Sequence, residues 1–112
     1  MAASSLLDLA ARYFKKRGYG IEKNVRHEGF SGLLRNFDLL VVKGDKRHPV
    51  WIKDWKRTVG VNIVINIDRA SSDVGYSGPI LIAGKFSDHA KAYANRRAIK
   101  LITRSEIKME LR

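Results

Sequence analysis

"TVGVNIVINIDRASSDV", residues 58–74, reads two ways, and the fold turns on the choice. Val61, Ile63, Ile65 and Ile67 alternate with Asn62, Val64, Asn66 and Asp68, which is mostly the period of a strand. The β-branched content favours that reading. Gly60, Ile63, Val64, Ile67, Ala70 and Ser71 also fall on one helical stripe. The next segment decides between them. "GPILIAGK" (78–85) is a short, almost continuously apolar run, as expected of a parallel strand buried on both faces. A parallel neighbour needs a crossover connection of a dozen or more residues. Residues 58–74 can supply it, so they are read as a helix.

Upstream, "FDLLVVK" (37–43) and "VWIKDWK" (50–56) read as strands, and "GDKRHP" (44–49) is turn chemistry that makes them a hairpin. "SSLLDLAARYFKKR" (4–17) is a helix with Leu6, Leu7, Ala10, Ala11 and Phe14 at helical spacing. Ser4 or Ser5 caps it, and Gly18 ends it after a basic last turn. "YGIEKNV" (19–25) is a short strand, and "RHEGFSGLLRN" (26–36), with two glycines and mixed charge, reads as a loop. Downstream, residues 87–98 form a helix capped by Ser87. "IKLIT" (99–103) is a last strand, and 105–112 a short terminal helix. The order α-β-β-β-α-β-α-β is that of an α/β protein, with a single domain over residues 1–112.

The chain carries 22 Lys and Arg against 11 Asp and Glu, a net charge of +11. An excess of this size is the electrostatic footprint of a nucleic-acid partner. With no cysteine, disulfides and cysteine zinc sites are excluded. No apolar run approaches the roughly 20 residues that span a bilayer, and the first residues lack the order of a signal peptide. A cytoplasmic protein without a membrane partner is the expectation.

Three residues carry candidate chemistry. Asp38 lies on the first hairpin strand, and Asp54 and Lys56 lie on the second. Read as a strand, residues 50–56 put Asp54 and Lys56 on one face and Trp51, Lys53 and Trp55 on the other. Two carboxylates on adjacent strands can hold a hydrated Mg²⁺ (or Mn²⁺). The cation relieves charge on a phosphodiester and acidifies a water, and a lysine beside it steadies the developing charge. The same residues also fit a solvated ion pair on an edge strand. Arg26, Arg35 and Asn36, just before Asp38, fit a flexible basic loop on a DNA backbone, and Lys53 and Arg57 are the further candidates for that contact. Lys53 faces the side expected to be buried, which implies an edge strand or a side chain that snorkels outward.

Beyond the triad, the span from Gly18 to Ile107 resembles the Mrr-like branch of the PD-(D/E)xK nucleases, the restriction endonuclease-like superfamily. The landmarks are "RGYGIEKNV", "NFDLLVV" with its acid, "VWIKDWKR" as the D/E/Q-x-K strand, and "TVGVNIV" opening the crossover helix. "GPILIAGKFSDHAKAYANRRAIKLITRSEI" follows that family's strand, helix, strand and final helix. The resemblance implies a restriction endonuclease-like core, a mixed β-sheet flanked by helices. It implies a Mg²⁺-dependent endodeoxyribonuclease with Asp38 and Asp54 as metal ligands, Lys56 as catalytic lysine and the Trp55 carbonyl as a further ligand. In size and motif the chain is also similar to archaeal Holliday junction resolvases. That implies double-stranded or branched DNA as partner, a homodimer, structure-directed cleavage and a place in repair or recombination. Relatives often place an acid in the first helix. Asp8 is available there, one residue out of step, and serves the helix dipole equally well; Glu22 is a second accessory candidate. The competing reading is a nucleic-acid-binding module on the same fold without cleavage.

Overall fold

The computed structural model describes residues 5–112, so Ser4 as a cap lies outside the described residues. Helix α1 (Leu6–Lys16) starts on Ser5, whose hydroxyl accepts the Asp8 N–H at 3.1 Å. Three strands follow as an antiparallel meander: β1 (Gly20–Glu28), β2 (Leu34–Lys43) and β3 (Lys46–Lys53). Helix α2 (Val61–Asp73) then crosses over to β4 (Ile80–Ala83), which pairs parallel with β3. Helix α3 (Asp88–Arg96) leads to β5 (Lys100–Thr103), parallel to β4, and α4 (Arg104–Glu110) ends the chain. The five strands lie in sequence order in one mixed sheet.

Residues 58–74 are helical from Val61 to Asp73, as the crossover argument requires. Val64, Ile67, Ala70 and Ser71 are buried, while Asn62, Asn66 and Arg69 are exposed. Val64 and Ile67 pack with Leu81 of β4 and Ala90 and Ala94 of α3. Asp68 also turns inward. Its carboxylate accepts from Tyr93 Oη at 2.8 Å and Arg97 Nε at 3.0 Å, so the buried acid is satisfied and ties α2 to α3. On the opposite face of the sheet, Leu6, Ala10 and Phe14 of α1 and Ile107 of α4 pack on Leu39, Val50 and Ile82.

Three sequence expectations are corrected. The loop expected over 26–36 is mostly strand, since β1 runs to Glu28 and β2 starts at Leu34. Arg26, His27 and Glu28 find partners in Asn36, Arg35 and Leu34, so the backbone is satisfied by pairing. The turn expected over 44–49 shrinks, because β3 already begins at Lys46. Pro49 is tolerated inside β3 because pairing with β4 starts only at Val50, which leaves the outer side of Pro49 without a strand neighbour. The strand expected over 50–56 stops at Lys53, so Asp54 and Lys56 follow the strand and do not alternate along it.

Candidate active site

Opposite Asp38 the β1–β2 ladder is interrupted. Pairing runs through Lys23↔Leu39 and resumes at Val25↔Phe37, skipping Asn24 and Asp38. Asn24 has φ of 53°, a left-handed conformation that asparagine tolerates better than most residues. Phe37 then packs with Ala70 of α2 and Val74 just past its end, whereas Leu39 packs with α1 on the other face. Residues two apart on a regular strand share a face, so the strand rolls over at Asp38. Its carboxylate fills the gap by accepting the Ile52 N–H at 2.7 Å. The acid is thereby fixed at the end of β3 that runs on to Asp54.

Asp38 borders a cleft of about 580 Å³ whose other walls include Arg26, Arg35, Asn36, Trp51 and Lys53. Four of the five residues singled out for nucleic-acid contact thus gather around the first acid. Arg26 Nε donates to Asn36 Oδ1 at 3.2 Å across the strands, and Trp51 Nε1 donates to the Asn36 carbonyl at 2.8 Å. The ammonium of Lys53 lies 4.9 Å from the Trp51 ring centre and 5.4 Å from that of Trp55. The strand is no edge there, because Lys53 pairs with Ala83, so snorkelling over two indoles is what accommodates the charge. Arg57, the fifth residue, lies over Trp55 at 4.2 Å and lines a separate cleft with α2, outside the Asp38 walls.

Asp54 is exposed and forms an ion pair with Arg104, the first residue of α4. Sequence reasoning missed Arg104, which stands 50 positions away. It reaches Asp54 past Gly84, where a side chain is lacking. A β-carbon on Gly84 would lie 3.3 Å from Arg104 Nη1 and 3.5 Å from the Trp55 carbonyl oxygen. That glycine could have been the signal, since it follows a buried strand at the level of the acids. Lys56 is exposed, in a bend beyond Asp54. Of the accessory acids, Asp8 faces Lys23 Nζ at 3.7 Å, and Glu22 is an exposed residue of β1 paired across to Leu40. No hydrogen bond or ion pair among the described residues joins either to Asp38 or Asp54.

Asp38, Asp54 and the Trp55 carbonyl offer hard oxygen donors, the type Mg²⁺ takes. Among the described residues no group of three or more His, Cys, Asp or Glu stands together. Two carboxylates match in number and type what Mg²⁺ takes when the rest of its shell is water and phosphate.

The likeness to known proteins agrees with the fold. A crystal structure titled as a protein of unknown function, AF1548, superposes with a TM-score of 0.80 at 21% identity, over 89% of this chain and 58% of that one. The protein VC1899 from Vibrio cholerae gives 0.70 at 14% identity, over 94% of this chain and 30% of that one. The chain thus spans less than two thirds of either protein. No curated protein matches it. Residues 1–110 match the family described as "Restriction endonuclease" (Mrr_cat). With a five-stranded mixed sheet flanked by helices and a family match from end to end, the chain belongs to the Mrr-type restriction endonuclease family.

Proposed function

We propose that the chain is a divalent-metal-dependent endonuclease that hydrolyses phosphodiester bonds in DNA, chosen by DNA structure and not by sequence, with residues 1–112 acting as one nuclease unit. The observation that carries this is the Asp38 cleft, where a fixed carboxylate lies among Arg26, Arg35, Asn36 and Lys53. An acid alone repels phosphate. Surrounded by cationic and amide donors, it is placed where a backbone is held, and the net charge of +11 draws DNA there.

Asp38, Asp54 and the Trp55 carbonyl would hold Mg²⁺ or Mn²⁺, which supplies positive charge against the scissile phosphate and acidifies a water. Arg26 and Lys53 grip the flanking phosphates. Lys56, exposed in the bend beyond Asp54, orients the water or neutralises charge as the bond breaks. Arg104, ion-paired with Asp54, would hold that carboxylate in place beside the cation.

A second reading, a binding module without cleavage, draws on one observation: both acids are already engaged, Asp38 by the Ile52 N–H and Asp54 by Arg104. Plasmid and branched-DNA cleavage in Mg²⁺ or Mn²⁺ separates the two. The proposal expects cutting by wild type and its loss in Asp54→Ala and Lys56→Ala. DNA binding without any cutting by wild type overturns it in favour of the second reading.

A further inference from the structure

The turn between β1 and β2 combines two features that rarely coincide: it is pinned, and it is greasy. Gly29 N donates to the Leu33 carbonyl at 2.8 Å, and Phe30 N to the Asp73 carbonyl at 2.8 Å. The Asp73 carboxylate accepts from Ser31 N at 2.8 Å, Ser31 Oγ at 2.7 Å and Arg35 Nε at 2.8 Å. Gly29 is buried against that carboxylate, which leaves no room for a β-carbon. On this fixed base Phe30 is 87% exposed, Leu33 58% and Leu34 61%. Met109 is the only other large apolar residue among those described with comparable exposure.

A cluster of exposed apolar side chains on a small protein marks a contact surface. Two facts choose the occupant. Leu34 lines the Asp38 cleft with Arg26, Arg35 and Lys53, while Phe30 borders a second cleft with Arg35, Arg69, Arg97, Asp68 and Asp73, so arginines stand on both sides of the tip. A second copy of this chain would bring another +11 to a hairpin flanked by arginines, whereas DNA brings the opposite charge. Phe and Leu are side chains that proteins insert between base steps when they unstack and kink a duplex. A tip already pinned to α2 loses little freedom on insertion.

We infer that Phe30 and Leu33, with Leu34 behind them, form a wedge that parts stacked bases of the DNA whose backbone lies along the Asp38 cleft. The inference rests on the nuclease reading and gives it a substrate class: DNA that is easily unstacked, at branches, mismatches or flexible steps. Branch points and pyrimidine–purine steps then become preferred positions because opening them costs least.

The test uses branched and linear DNA carrying 2-aminopurine beside the branch, in EDTA so that no strand is cut. Wild type is expected to raise the probe's emission severalfold on branched DNA. At protein concentrations that saturate the DNA, the Phe30→Ser/Leu33→Ser variant should leave the emission flat, and Phe30→Trp/Leu33→Met should restore the rise. Bound wild type with no emission change, or an equal rise in the serine variant, overturns the wedge and leaves the nuclease reading standing. A wild-type dimer in sedimentation that the serine variant converts to monomer overturns it too, by giving the surface to a second copy. Absence of any DNA binding by wild type overturns the wedge and the nuclease reading together.

Discussion

Asp38 and Asp54 are held by different means, and the difference decides what each substitution does. Asp38 accepts a backbone N–H, a bond that an asparagine can keep. Asp54 meets Arg104 on the surface, with its side chain 56% exposed. Such a pair is worth about 0.2–1 kcal/mol. If Asp54 holds the cation, Arg104 competes for it, and Arg104→Met should tighten Mn²⁺ binding by no more than about fivefold. Calorimetric titration checks this; weaker binding in the variant would show that Arg104 supports the cation and does not compete with it. Asp73 gives a pH-dependent case. The hydroxyl of Ser31, then Arg35, then the Ser31 amide hold its carboxyl down at about 2, from 3.8. A depressed carboxylate contributes stability above its unfolded value, and the contribution is lost as pH falls through the folded one. The Ser31 amide should therefore keep its exchange protection down to pH 3.8, lose it between there and about 2, and be unprotected throughout in Asp73→Ala. Protection that survives to the acid end of that interval would show that other contacts pin the turn.

Among the elements, α3 ends in a way that its own sequence resists. Ala98 has φ of 57°, and Ile99 N closes back on the Ala94 carbonyl at 2.9 Å, the bond of a helix end that glycine usually serves. Ala98 is exposed, so nothing but the backbone is at stake. Ala98→Gly is expected to stabilise the fold by about 1 kcal/mol, read as a higher midpoint in urea. An unchanged or lower midpoint would mean that the strain is relieved elsewhere. The residue signals at the other elements were plainer. Ser5, Ser87 and the stripe through Val64 and Ile67 announce their helices, and the buried run at 80–83 announces its strand. Strand limits were less legible. Glycines 29 and 32 look like a long loop until Asp73, more than 40 positions away, is seen to pin the turn and let β1 and β2 pair almost to its base. The Asp54–Lys56 spacing looked like strand alternation, but β4 stops at Ala83 and offers β3 no partner beyond Lys53.

Across the whole molecule, the sheet order sets where the proposed site residues stand. β2 and β3 bring Asp38 against Ile52, two residues before Asp54, and the parallel pair β4–β5 brings Arg104 over Gly84 to Asp54. The hairpin half of this was legible, because short connections leave few alternatives. The Arg104 half was not, since it depends on a through-space approach across an intervening strand. The basic residues drawn from the apparent loop gather at the cleft all the same, because pairing of β1 with β2 sets Arg26 beside Asn36. No helix among the described residues is long and apolar enough to cross a membrane, and the charge of +11 is the footprint of a nucleic-acid partner. The claim at the centre is that Asp38 is there for chemistry and not for holding β3. Asp38→Asn tests it most directly, because it keeps the acceptor for Ile52 and removes only the charge. Cleavage in Mg²⁺ and DNA affinity in EDTA are measured on the same preparation. The account predicts cleavage reduced about 100-fold or more with affinity equal to wild type or higher. Cleavage within a few fold of wild type would contradict it.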